Sequence, residues 1–259
     1  MKSLKHFGIL AHSAEGASLC FLSFCREGFA RMGAHMHPDV TLDCIAMGHS
    51  MQAWENSDYA PIRETHAASI DRLARAGAEF FACPDNTSHI AMEYPGPEFA
   101  LPGLNIADIV AEQAVHLKMR RVGVLGTRFT VEGPAYRRAF DARGLGIEIP
   151  DADEREEINR IIFDELVEGK FTDEARAGFV TIIDGLRLRG CDGVALVCTE
   201  IPLLITPDIS PLPVLNSTEL LAKAAFEVST GIRPMPKWRG GPIEALDNSA
   251  SVKKEVGLG

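Results

Sequence analysis

The sequence predicts an α/β protein of two similar lobes, each built on a mainly parallel sheet, related by an approximate two-fold with a cleft between them. Three observations carry that prediction. Apolar runs of strand length alternate with stretches of helical periodicity along most of the 259 residues, the pattern of repeated βα units. Two stretches match one another at an offset of 113 residues: Gly77-Ala78-Glu79-Phe80-Phe81-Ala82-Cys83-Pro84-Asp85-Asn86-Thr87 and Gly190-Cys191-Asp192-Gly193-Val194-Ala195-Leu196-Val197-Cys198-Thr199-Glu200. Each runs from a glycine at a helix end, through an apolar strand, to a polar tip. A second pair, starting at Gly8 and Gly123, repeats at an offset of 115. Two matching pairs at nearly one spacing point to an internal duplication.

The elements follow in order. Phe7 to Ala11 reads as the first strand, and residues 15 to 32 as a helix whose apolar stripe is Phe21, Leu22, Cys25, Phe29 and Met32. Val40 to Met47 reads as a strand. Residues 60 to 76 read as a helix with Ile62, Ile70 and Leu73 inward, closed by Gly77 just past its end. The strand Phe80 to Cys83 stops at Pro84, which cannot donate to a sheet ladder, so Asp85 belongs to the loop beyond. Pro95, Gly96, Pro97, Pro102 and Gly103 form a turn-rich junction.

The pattern then restarts. A helix over 106 to 118 leads into the strand Val122 to Leu125 and the tip Gly126-Thr127. Helices are expected at 134 to 143, 154 to 169 and 173 to 189, with Phe179, Ile182, Ile183 and Leu186 facing inward on the last. A short strand is expected over Ile147 to Ile149. Beyond Pro207, Pro211 and Pro213, Val214 to Ser217 reads as a strand, and Ser217 as the cap of a helix over 218 to 230. That helix is expected to return to the first lobe. The first lobe then takes residues 1–104 and 216–259, and the second 105–215. The tail from Arg233 onward, rich in Gly, Pro and charge, reads as an extended arm.

Composition narrows the class. A net charge of −10 argues against nonspecific nucleic-acid binding, which needs a clustered basic surface. No apolar run approaches the ~18–20 residues that would span a bilayer. The opening residues lead straight into a strand, so no signal peptide is expected. Cys20, Cys25, Cys44, Cys83, Cys191 and Cys198 lack the spacing of a metal site and are expected to be reduced thiols, which places the chain in the cytoplasm without a bound metal.

Ligands of open α/β sheets bind outside the carboxyl ends of the strands. Two equivalent tips facing one cleft place a carboxylate, Asp85, opposite a thiol, Cys198. Such a pair can remove and return a proton on opposite faces of one carbon. Asn86, Thr87, Thr199 and Glu200 stand beside these two groups. Ser13, Thr127 and Thr130, on the tips after the two leading strands, are candidate carboxylate binders. His12, His49, Ser50 and Gln52 are placed near the cleft without an assigned role. Bland readings stand beside these: Asp85 as a helix N-cap, His89 as a structural residue, and Cys20, Cys25, Cys44 and Cys191 as core.

The segments Asp85-Asn86-Thr87-Ser88-His89 and Val197-Cys198-Thr199-Glu200, followed by Ile201-Pro202-Leu203-Leu204, resemble the aspartate/glutamate racemase superfamily. Its two hallmarks are a Cys-Asn-Thr-x-His tip in the first half and a Gly-Cys-Thr-Glu tip in the second. Val122 to Thr130 and Asn159 to Leu166 are also similar to its second half, and the likeness spans roughly residues 5 to 230. The resemblance implies two Rossmann-like lobes, a homodimer, and cofactor-independent movement of a proton at the carbon next to a carboxylate, on a small substrate such as an amino acid.

This chain departs from the pattern at one position. Asp85 stands where the first cysteine is expected, and Cys83 lies two residues earlier. Three readings follow. Asp85 is the second base, its acidity reduced in a partly dry cleft. Alternatively, a shifted strand lets Cys83 serve. Otherwise Cys198 works alone, as in a one-cysteine isomerase, decarboxylase or hydantoin racemase-type enzyme, while Asp85 positions substrate. A non-catalytic ligand-binding relative is the competing class. Cys198 is expected to be the most reactive thiol, poised as thiolate by the following helix start.

Overall fold

A computed structural model describes residues 4–243. Strands β1 (Phe7–Ala11), β2 (Val40–Cys44), β3 (Phe80–Ala82) and β4 (Gly103–Leu104) form one sheet in the order β2-β1-β3-β4. Strands β5 (Arg121–Leu125), β6 (Gly146–Glu148), β7 (Gly193–Leu196) and β8 (Val214–Asn216) form a second in the order β6-β5-β7-β8. Every pairing in both sheets is parallel. The two sheets thus share one strand order, and β1 corresponds to β5 and β3 to β7. These are the two similar lobes that the repeat predicts. Parallel neighbours cannot be joined by tight hairpins, so helices carry the chain back each time. Among these are α1 (Ala14–Met32) and α3 (Tyr59–Arg75) in the first lobe and α7 (Pro134–Asp141) and α9 (Asp173–Leu188) in the second.

The duplication extends to backbone conformation. Gly77 follows α3 with φ +95° and Gly190 follows α9 with φ +90°, each leading into the strand that carries a tip. A side chain is strained in that left-handed region, which explains a glycine at both helix ends.

The inner face of α1 differs from the expected stripe. Gly16, Ala17, Cys20, Phe24 and Gly28 are buried, while Phe21, Leu22 and Phe29 are 37%, 44% and 40% exposed. Small residues decide the packing face here. A Cβ on Gly28 would lie 2.5 Å from the Met36 carbonyl oxygen, so only glycine admits this close approach. The buried face meets the core formed by Phe7, Ile9, Phe80 and α11 (Ser217–Ser229), including Leu221, Ala225 and Phe226. The cap of α11 is Asn216, whose side chain accepts from the Thr218 and Glu219 amides; Ser217 lies inside the helix and bonds elsewhere.

Three further elements differ from expectation and bear on the cleft. The strand over 40–47 ends at Cys44, and Met47–His49 forms a 3₁₀ turn ahead of α2 (Met51–Glu55). The helix expected over 154–169 is α8 (Ala152–Ile161) followed by a π turn over Ile162–Leu166, a rare element common at functional sites. Residues 233–243 are no free arm. They strap the first sheet, with Gly103 N donating to Trp238 O at 2.7 Å and Phe99 N to Arg239 O at 2.8 Å. The rest of the expected arm, 244–259, lies outside the described residues.

Candidate active site

The tips of β1, β3, β5 and β7 converge where the lobes meet. A Cβ on Gly16, in the first turn of α1, would lie 2.7 Å from the Thr199 methyl and 3.0 Å from the Pro84 carbonyl oxygen. That glycine lets α1 start between the tips that carry Asp85 and Cys198. The resulting cleft has a volume of about 190 Å³. Ser13, Asp85, Asn86, Thr87, Thr127, Cys198, Thr199 and Glu200 all line it, as does His12.

The Asp85 carboxylate is held by four donors. Oδ1 accepts from the Thr87 amide at 3.0 Å and the Ser88 amide at 3.3 Å, in the turn that leads into α4 (Ser88–Met92). Oδ2 accepts from the Ser88 hydroxyl at 2.9 Å and lies 2.7 Å from His12 Nδ1. Burial alone opposes ionisation of this group, but the His12 contact and charge, with the Ser88 bonds, outweigh it. The carboxyl is therefore held well below the usual carboxylate range. This corrects the expectation of a desolvated, weakly acidic Asp85: His12 and the Ser88 bonds supply more to the anion than burial removes.

Cys198 stands in the opposite condition. Its Sγ–H donates to Glu200 Oε2 at 2.9 Å. Burial, then the Glu200 charge and that hydrogen bond, push the thiol well above its ordinary value, with Asp85 adding to the effect. The helix that follows, α10 (Ile201–Leu204), spans only four residues. Its dipole does not offset two nearby carboxylates. The expected thiolate is thus a protonated thiol in the free protein.

The other candidates sort by their bonds. Cys83 is fully buried among Leu10, Phe81 and Met92, and burial raises its thiol strongly, so it does not face the cleft. Asn86 joins the lobes: its Oδ1 accepts from Tyr136 at 2.5 Å and its Nδ2 donates to Ser217 Oγ at 3.1 Å. Thr130 is buried behind Thr87 and Thr127, 2.7 Å and 3.2 Å from their hydroxyls, and reaches the cleft through them. Ser13 caps α1 by accepting from Gly16 N at 3.2 Å while lining the cleft. His89 is a brace. Its Nε2 accepts from the Ile106 amide at 3.2 Å, so Nδ1 carries the proton and donates to the Asp85 carbonyl at 3.0 Å.

His12 is the site residue that sequence reasoning left without a role. It is 4% exposed, bonded to Asp85, and its Nε2 has no protein partner. The signal available was its place directly after β1, the one tip position where a ring could reach Asp85 across the β1–β3 pairing. Behind it, His66 lies edge-on at 5.2 Å between ring centroids. Among the described residues no group of three or more His, Cys, Asp or Glu is placed to hold a metal ion, and no helix is long and apolar enough to cross a membrane.

Two like parallel sheets with a thiol and a carboxylate at matching tips define a two-lobed α/β protein with one polar-floored cleft. The Asp/Glu/Hydantoin racemase family model matches residues 14–225, and the chain belongs to that family. It is an isomerase of the racemase class. A Yersinia pestis protein assigned to the Asp/Glu racemases superposes with a TM-score of 0.79 at 28% identity, covering 88% of this chain and 100% of the other. An aspartate racemase homologue from Pyrococcus horikoshii OT3 gives 0.75 at 26% identity, with coverage of 88% and 100%. The broad specificity amino-acid racemase RacX of Bacillus subtilis is 24% identical over 164 residues, 62% of this chain and 70% of its own length.

Proposed function

We propose that this chain is a cofactor-independent amino-acid racemase that moves the proton on the carbon next to a carboxylate, with Asp85 and Cys198 as the opposed acid/base pair. A two-base racemase must rest with one group holding the proton and the other without it. The observation that carries the reading is the matched asymmetry of the two tips: Asp85 held as anion beside His12, and Cys198 held as thiol beside Glu200. In this resting form Asp85 accepts the α-proton and becomes a neutral carboxyl, while the Cys198 thiol delivers its proton to the other face and becomes the thiolate; the reverse reaction starts from that form.

The hydroxyls of Ser13, Thr87, Thr127 and Thr199 line the same space and suit the substrate carboxylate. Asp85 and Glu200 favour a substrate ammonium, which supports an amino acid. The net charge of −10 supports a small-molecule partner over nucleic acid. The exposed apolar residues Phe21, Leu22 and Phe29 of α1 support pairing of two chains.

One observation favours a second reading. All four donors around Asp85 are engaged in the turn that leads into α4 and in holding His12, as expected of a positioning carboxylate. Cys198 then works alone. Incubating single enantiomers in D₂O and reading mass and chirality separates the two. Deuterium in an inverted product is expected for the pair, whereas exchange with retention assigns the reaction to Cys198 alone. No exchange across amino acids of either hand would remove the racemase reading.

A further inference from the structure

We infer that the cleft selects a monocarboxylic substrate with an apolar or aromatic side chain, rather than one with a second carboxylate. This rests on the proton-transfer reading above and names the substrate class for the same site. The polar groups of the cleft lie at the strand tips, where the reacting carbon belongs. Its mouth is apolar. Met47, Met51, Phe129, Phe163 and Val167 line it while remaining 46%, 44%, 45%, 49% and 54% exposed.

These five side chains come from four separate segments: the 3₁₀ turn, α2, α6 (Arg128–Glu132), and the π turn with the residue after it. They are drawn from both lobes. Scattered surface apolar residues need no explanation, but convergence of this kind around a concave site marks a ligand contact. Trp54, 8% exposed, backs the same wall. The π turn matters here. Its extra residue per turn breaks the 3.6 period of α8, and Ile162 and Phe163 both reach the cleft from adjacent positions.

Charge argues the same way. Among the described residues no Lys or Arg lines the cleft, and its acidic residues, Asp85 and Glu200, would repel a distal carboxylate. Such a carboxylate would lose water against methionine and phenylalanine without a partner, which is costly. The cations nearby belong to the neighbouring groove. Arg155 pairs with Glu132 at 3.1 Å, and Arg160 pairs with Glu157 at 2.7 Å and Glu165 at 3.0 Å. Arg128 packs 6.0 Å over Phe129. At about 190 Å³ the space falls below the ~300–1,000 Å³ of sites for drug-sized ligands, so the apolar group is that of a single small molecule.

Calorimetric titration of the intact protein with both enantiomers of phenylalanine, leucine, aspartate and glutamate tests the inference independently of turnover. Phenylalanine or leucine is expected to bind at least ~10-fold tighter than either acidic amino acid, the scale of one buried apolar group. Phe163→Ala, outside the proton-transfer machinery, is expected to erase most of that preference while the fold, read by circular dichroism, is unchanged. Equal or tighter binding of aspartate or glutamate overturns the inference, and its loss in Arg128→Ala would identify the cation responsible. Binding of neither class also overturns it. Apolar binding without any exchange in D₂O supports the ligand class and removes the proton-transfer reading, so the two failures are distinguishable.

Discussion

The Asp85 tip and the Cys198 tip occupy equivalent places in two sheets of one strand order, yet they are held in opposite protonation states. At the first tip, backbone amides, a serine hydroxyl and His12 converge on a carboxylate. At the second, a carboxylate faces a thiol. A repeated backbone therefore supplies equal positions, and the side chains packed on each tip, His12 and Ser88 at one and Glu200 at the other, decide which group carries the proton. His12, Ser88 and Glu200 matter to this asymmetry as much as Asp85 and Cys198 themselves.

Removing the reacting groups breaks the comparison most severely. Cys198→Ala is expected to lower exchange at the α-carbon by at least ~1,000-fold, and Asp85→Asn by at least ~100-fold, within the range for positioned acids and bases. Racemisation assays on both variants, with circular dichroism to confirm folding, check this. If Asp85→Asn still inverts its substrate at nearly the wild-type rate, Cys198 works without it and the two tips are not an opposed pair.

The fold was largely legible because periodicity and glycine placement are local signals. Gly77 and Gly190 mark helix ends, and the 113-residue offset located both tips before any contact was known. What escaped was set by packing and backbone contacts that only the folded chain brings together. The inner face of α1 follows from how closely Gly28 approaches the Met36 carbonyl, which no hydrophobic count detects. The strap over 233–243 is held by backbone bonds to Phe99 and Gly103. At the site, residue positions were readable but protonation was not. Burial and hydrogen bonding act on Asp85 in opposite directions, and only the geometry says which prevails.

The first tip also rests on an acid-sensitive support that the second lacks. His66 is 1% exposed, and neither ring nitrogen has a protein partner. Burial, then repulsion from His12, lowers it to about 3, with Asp85 acting in the other direction and His89 and Arg63 adding to the lowering. In the unfolded chain a histidine titrates near ~6.5. Below that pH the unfolded state binds a proton that the folded state refuses, so stability falls as the pH drops from ~6.5 toward the folded value, by at most ~1.4 kcal/mol per unit. Asp85 adds acid sensitivity only below the ordinary carboxylate range. Urea unfolding at pH 7 and pH 5 should show a loss of up to about 2 kcal/mol, and His66→Leu should flatten it. An equal loss in that variant would show that His66 does not carry the effect.

The smallest expected effect probes the second tip directly. Glu200 raises the Cys198 thiol through its charge and by accepting the Sγ–H bond, so Glu200→Gln should lower it while burial still holds it up. Cys44, exposed on the end of β2, provides an internal clock for alkylation in the same sample. In the wild-type protein at pH 8, iodoacetamide should modify Cys44 well ahead of Cys198, because the thiolate and not the thiol reacts. In Glu200→Gln the Cys198 rate should rise by ~3–10-fold, because the thiol loses the nearby charge and the acceptor that hold its proton. Cys44 should be unchanged. Peptide mass mapping over a short time course reads both. Should Cys198 outrun Cys44 in the wild type, the second tip rests as a thiolate and the two tips share an anionic state, a form in which neither could deliver the proton that inversion requires.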